Sequence, residues 1–336
     1  MTSDRPVFVV GCPRSGTTLL GLMLHAHPRL AIPPETRFLL PVWRARARFG
    51  DLSTREQRRA LARACTGRGS RVRHLGLDPA VARRAVLAAP PTVGSAIGTV
   101  LSLFAEAQGA ARWGDKRPAY FSEVDVLLRL FPDAQILQIV RDGRANVASL
   151  KSMPWWPYDS VGSIATWAQA EYCARRNLRR LPGDVFHVVR YESLVADPEP
   201  VLRDVCAFLD EELDPAMLEP ARVRGVVPQS KTWHTRLDEP VSASQVESWR
   251  QALEPWELGL AETVLRGALA RWDFPRTGAG RRPGPLLLAR YARAITQRQV
   301  TMQARWASER REARRPAYPV AARLTSGQRA LAGLDG

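Results

Sequence analysis

Residues 6–20 read PVFVVGCPRSGTTLL. Residues 6–10 are a short continuous apolar run rich in valine, the pattern of a strand buried on both faces of a parallel sheet. A glycine-bounded loop follows over 11–16, and residues 17–27 carry helical spacing up to Pro28. Strand, loop and helix make one βα unit. Backbone N–H groups at such a helix start point outward and the helix dipole favours an anion, so the loop is a candidate phosphate seat. Its glycines, Gly11 and Gly16, have the Walker A spacing, but Thr17 stands where that pattern has lysine. The cation here is Arg14, within the loop, and Thr17 and Thr18 add two hydroxyls. A tight strand-to-helix turn without a ligand is the alternative.

Outward from this unit, residues 134–140 (AQILQIV) are the clearest second buried strand, and Asp142 is placed to N-cap a helix over 143–153. Arg141 then ends a strand at the carboxyl edge of the sheet, and Ser149 lies about two turns into the helix. Ligands of open α/β sheets bind at that edge, so Arg141 and Ser149 form a second candidate anion seat. Pairing of Arg141 with Asp142 or with a helix end is the alternative. Two seats suit a ligand with phosphate at both ends. Further strands are expected at 29–32 and 185–190, and helices at 35–49, 160–181, 198–209, 243–253 and 256–271. An Ala- and Arg-rich helical insertion occupies about 51–112. The alternation predicts an α/β fold, a P-loop-type parallel sheet flanked by helices.

The 336 residues are 45% hydrophobic, with no apolar run near the length of a membrane span. That excludes a wholly disordered chain, a collagen, a disulfide miniprotein and an integral membrane protein. Cys12, Cys65, Cys173 and Cys206 are far apart and form no CxxC pair, so neither a zinc site nor a disulfide framework is signalled. The amino terminus lacks the basic region, long apolar stretch and cleavage site of a secretion signal, and the expected location is cytoplasmic.

The net charge is +16, from 49 Lys and Arg against 33 Asp and Glu. From Arg276 onward 13 arginines face Glu309, Glu312 and Asp335, so 13 − 3 = +10 of it lies in the tail. Lysine occurs only at Lys116, Lys151 and Lys231. So strong an arginine bias reads as compositional, and nucleic acid is not an expected partner. The stretch 277–285, rich in Gly, Pro and Arg, marks the boundary between an α/β domain over 1–276 and a basic, partly helical extension over 277–336. Within that extension Leu287, Tyr291, Ile295, Met302 and Trp306 recur at loosely helical spacing. Packing on the chain's own core, a solvated helix, and contact with a partner or a membrane surface all stay open.

Taken together, PRSGTTLL (13–20), HPRL (27–30), PPETRFL (33–39), RDGRANVAS (141–149) and RYESLVADPE (190–199) resemble the sulfotransferases that use 3'-phosphoadenosine 5'-phosphosulfate (PAPS). The tyrosylprotein-type and related bacterial branches are the most similar. The ordered motifs cover roughly two-thirds of the chain, with a weaker echo in EPVSASQVESW (239–249). The resemblance implies a PAPS-dependent sulfotransferase that needs no metal. It assigns Arg14, Ser15, Gly16, Thr17 and Thr18 to the 5'-phosphosulfate, Arg141 and Ser149 to the 3'-phosphate, and Tyr191 to the neighbourhood of the adenine or the 3'-phosphate.

Glu35 matches the general base of the tyrosylprotein branch. Such a carboxylate takes the proton that the acceptor hydroxyl loses, although a glutamate in the first turn of a helix also simply favours the dipole. Arg37 then orients Glu35 or touches the acceptor. Lys116, in WGDKRPAYF, matches a lysine that faces the transferring group and completes the catalytic set of Glu35, Arg14 and Lys116. A surface pair with Asp115 is its alternative. The acceptor is a hydroxyl of a small molecule, a glycan or a tyrosine. Trp155, Trp156 and Tyr158 form either a wall for that acceptor or a packed lid, and His234, in SKTWHTR, is an alternative base. Two rivals remain at this point: a nucleotide-dependent kinase, which needs a phosphate-binding lysine and a magnesium seat, and a non-catalytic nucleotide-binding adaptor that docks through the basic tail.

Overall fold

The computed structural model describes residues 3–70, 72–226, 246–312 and 319–322. Strands β1 (Val7–Gly11), β2 (Leu30–Ala31), β3 (Arg112–Lys116), β4 (Gln135–Val140) and β5 (Phe186–Arg190) form one sheet in the order β2-β3-β1-β4-β5. Every pairing is parallel, so all five strands end on the same edge. β1 is central and buried throughout. Because side chains alternate across a strand, Val7 and Val9 join one apolar cluster and Phe8 and Val10 the other. Burial on both faces is what its unbroken valine-rich run requires.

Helix α1 (Thr17–His25) supplies Leu20 and Met23 to the cluster beneath Val7 and Val9. After β2 come α2 (Leu39–Arg44), α3 (Arg55–Thr66), α4 (Pro79–Ala88) and α5 (Val93–Ala107), which build the helical insertion. Their starts are set by local chemistry: Thr54 and Gln57 form a capping box on α3, Asp78 caps α4 and Thr92 caps α5. Helices α6 (Val124–Leu130), α7 (Gly143–Lys151) and α8 (Ser160–Arg180) flank β4, and α9 (Tyr191–Ala196) and α10 (Pro198–Phe208) follow β5. Asp142 caps α7 by accepting the Arg144 N–H at 2.8 Å, as its position predicts.

Beyond α11 (Trp249–Ala252), α12 (Pro255–Val264) and α13 (Arg266–Arg271), the long α14 (Pro285–Glu312) lies along α8. It buries Met302 and Trp306, and Trp306 Nε1 donates to the Ser122 carbonyl at 2.8 Å. Residues 319–322 return to the start of α5, where Val93 and Gly94 donate their N–H groups to the carbonyls of Pro319 and Val320 at 2.9 and 2.7 Å. No helix among the described residues is long and apolar enough to cross a membrane.

Three expectations need correction. Residues 112–116, for which no strand is expected, are a strand. Their mixed composition hides it, because the buried Arg112 is satisfied by distant groups, the Leu209 carbonyl at 2.7 Å and Glu211 at 3.2 Å. The helix expected over 35–49 begins only at Leu39, and Arg37 adopts the left-handed region (φ 61°), which an α-helix does not contain. The helix expected over 243–253 is limited among the described residues to Trp249–Ala252.

Candidate active site

The parallel topology gathers the candidate residues along one edge. The loop after β1 brings Arg14 and Ser15, the segment after β2 brings Glu35 and Arg37, β3 ends in Lys116, β4 delivers Arg141, and β5 delivers Tyr191. In the loop after β1, the Ser15 N–H closes a turn on the Cys12 carbonyl at 3.0 Å, and Arg14 and Gly16 adopt φ of 72° and 104°. Gly16 is required twice over. Its backbone conformation favours glycine, and a Cβ there would collide with the Tyr191 ring.

The two proposed anion seats are joined. Arg14 Nε donates to Ser149 Oγ at 3.0 Å, and Arg141 Nη1 donates to the Arg14 carbonyl at 3.1 Å. The Arg141 guanidinium lies over the Tyr191 ring, 4.6 Å from its centroid, and Asp142 pairs with Arg144 rather than with Arg141. Burial, reinforced by the charge of Arg141, pushes Arg14 below the ordinary arginine range. Two guanidinium groups held this close, with no carboxylate at ion-pair distance from either among the described residues, make a positive pocket, which the partly buried Glu192 carboxylate feels only at longer range through Arg141. Ser15 Oγ and Arg141 Nε are buried there without a hydrogen-bond partner among the described residues. Such donors fit phosphate oxygens, and the set fits a nucleotide with phosphate at both ends.

On the other flank, Lys116 is buried and its Nζ lies 3.3 Å from both Thr18 Oγ1 and Glu35 Oε1. It is therefore not a surface lysine paired with Asp115. Arg37, half exposed, approaches the other Glu35 oxygen at 3.8 Å. Asp115, fully buried, instead accepts the Lys116 backbone N–H at 2.9 Å, the Tyr120 hydroxyl at 2.8 Å and the Thr36 hydroxyl at 3.1 Å. Burial raises its carboxyl to about 6. This network ties the segment holding Glu35 to the strand end holding Lys116, and explains why residues 35–38 are not helical.

Trp155, Trp156 and Tyr158 form a separate ring cluster in the turn between α7 and α8, with Trp156 tied to Ser163 at 2.8 Å and Tyr158 facing Arg298 of α14. His234 lies outside the described residues. Two polar residues that sequence reading did not place in the site also hold it. Asn146 bonds the Pro13 carbonyl and the Cys12 thiol, and its position three residues before Ser149, on the same helical face, was a usable signal. Asp115, named from the sequence only as a surface partner for Lys116, gives no sign there of its link to the Glu35 segment, since Thr36 is 79 residues away. Among the described residues no cluster of His, Cys, Asp and Glu could hold a metal ion.

A central strand running into a glycine-bounded loop, with Arg141 at the end of the neighbouring parallel strand, defines a protein of the P-loop-like α/β class. Residues 6–215 match the Sulfotransferase family, and the chain belongs to that family. It is 28% identical over 309 residues to protein-tyrosine sulfotransferase 1 of Danio rerio, covering 85% of this chain and 78% of that protein. It is also 27% identical over 254 residues to the protein-tyrosine sulfotransferase of Drosophila melanogaster, covering 72% of this chain. There it spans about half the relative's length, 46%. Among solved structures, the sulfotransferase domain of the Synechococcus PCC 7002 olefin synthase is similar at a TM-score of 0.53 and 24% identity, over 80% of this chain and 95% of that one. At that identity the likeness speaks for the fold.

Proposed function

We propose that this protein transfers a sulfuryl group from PAPS to a hydroxyl of a small molecule, a glycan or a tyrosine. The observation that carries the reading is the meeting, on one sheet edge, of the linked Arg14–Arg141 pocket with the Lys116–Glu35 pair. When bound, PAPS supplies a sulfuryl group on a phosphate leaving group. Arg14, Ser15, Gly16, Thr17 and Thr18, with the backbone N–H groups at the start of α1, would hold its 5' end, and Arg141 and Ser149 its 3'-phosphate. Glu35 accepts the acceptor's proton as the new oxygen–sulfur bond forms, and Arg37 orients the carboxylate. Lys116, between Thr18 and Glu35, neutralises the negative charge that gathers as the old bond breaks. Trp155 and Tyr158, whose rings are exposed in the cluster between α7 and α8, are the candidates for an aromatic wall against the acceptor, the packed lid being the other reading. The names of the curated relatives favour tyrosine among the acceptors.

The test is a panel of phenols, sugars and tyrosine peptides incubated with radiolabelled sulfate donor. At least one labelled product is expected from the wild type and none from Glu35→Gln, which keeps its affinity for the desulfated product 3'-phosphoadenosine 5'-phosphate (PAP). Failure of the wild type to bind PAP in calorimetry would remove the reading. Full activity of Glu35→Gln would remove Glu35 as base.

A further inference from the structure

Helix α7 does more than carry Ser149. Asn146, one turn earlier on the same face, is fully buried beneath the anion loop. Its Nδ2 donates to the Pro13 carbonyl at 2.9 Å, and its Oδ1 accepts from the Cys12 thiol at 3.2 Å. The Pro13 carbonyl can only accept, so the amide has one workable orientation. Burial pushes the Cys12 thiol well above its ordinary range, so the sulfur stays protonated and donates. Three consecutive loop residues are thus held from the β4–α7 side: Cys12 and Pro13 by Asn146, and Arg14 by Ser149 and Arg141.

We propose that Asn146 is a positioning residue that sets the spacing between the two phosphate seats, and so selects a nucleotide carrying phosphate at both ends over one carrying a single phosphate. The inference rests on the donor site described above. A ligand with two anionic ends gains from its second contact only if the seats already stand at its span. A ligand with one phosphate needs one seat and tolerates a loop that has drifted. Asn146 touches neither phosphate. Its effect passes through the backbone of the loop that presents Arg14 and Ser15, while the same helix fixes Ser149 and, at its start, Arg141.

The experiment is calorimetric titration of the wild type, Asn146→Ala and Asn146→Asp with three probes: PAP, adenosine 5'-monophosphate and adenosine 3'-monophosphate. Asn146→Asp keeps the side-chain size and loses the donor to Pro13. Both variants are expected to weaken PAP by about tenfold or more while each monophosphate changes by less than about threefold, so that the preference for PAP collapses. An equal loss for all three probes, or no loss for PAP, overturns the proposal. Failure of both variants to fold, seen as loss of the thermal transition, also overturns it, because Asn146 would then be a packing residue. If the wild type itself does not bind PAP, it is the donor-site reading that fails first.

Discussion

Arg14 reaches from the anion loop to Ser149 on α7, donating its Nε proton to the serine hydroxyl at 3.0 Å. The contact spans 135 residues of sequence and makes the two anion seats one mechanical unit, closed on its other side by Arg141 bonding the Arg14 carbonyl. Each seat therefore depends on the other for its geometry.

Arg14→Ala and Arg141→Ala are each expected to weaken PAP by about tenfold to a hundredfold, the scale of a charge-assisted bond. Because the two residues share a network, the double variant should lose less than the sum of the single losses. Calorimetry of the four proteins checks both points, and strict additivity would mean that the seats act independently.

Lys116→Met is expected to lower turnover about a hundredfold with much less effect on PAP affinity. The methionine keeps the length of the stem and removes only the charge between Thr18 and Glu35. The radiolabel assay, run with whichever acceptor the panel yields, reads the first quantity and calorimetry the second. Unchanged turnover would take Lys116 out of the chemistry.

Asp115 makes stability depend on pH. Burial raises its carboxyl from the ordinary 3.8 to about 6, so within that window the folded chain holds a proton that the unfolded chain releases. Its contribution to stability therefore falls as pH rises through the window. Relative to Asp115→Asn, the wild type is expected to lose up to about 3 kcal/mol between pH 4 and about 7. Urea titrations of both proteins across that range measure the difference, and a flat difference would contradict it.

Gly16→Ala is expected to cost about 1–3 kcal/mol, because it places a side chain at φ 104° and against the Tyr191 ring. Urea unfolding gives the value. A neutral substitution would show that the ring moves aside without penalty.

Trp306→Ala is expected to destabilise the protein by about 3–5 kcal/mol. The indole is buried, donates to the Ser122 carbonyl, stacks on Tyr172 at 6.5 Å and carries Arg176 at 4.3 Å over its face. Urea unfolding again decides. A loss below about 0.5 kcal/mol, typical of a surface site, would describe α14 as a loosely attached arm.

Much of the fold was legible because its signals are local. The valine run of β1, the glycine loop, the apolar run of β4 and the Asp142 cap each express themselves within a few residues. β3 was not legible, since Arg112, Asp115 and Lys116 look like surface residues until Leu209, Glu211, Thr36 and Glu35 arrive from elsewhere in the chain. The same holds for residues 35–38, whose helical appearance is overridden by the bond from Thr36 to Asp115.

The order of residues by itself determined the class of fold and the identity of the charged groups along the sheet edge, because hydrophobic period and turn chemistry are properties of short segments. Which of those groups meet was decided only by tertiary structure. Lys116 faces Glu35 across 81 positions, and Asn146 grips Pro13 across 133. The physical reason is that a buried polar atom must find a partner wherever the packed chain supplies one, and that supply is set by the parallel stacking of strands distant in sequence.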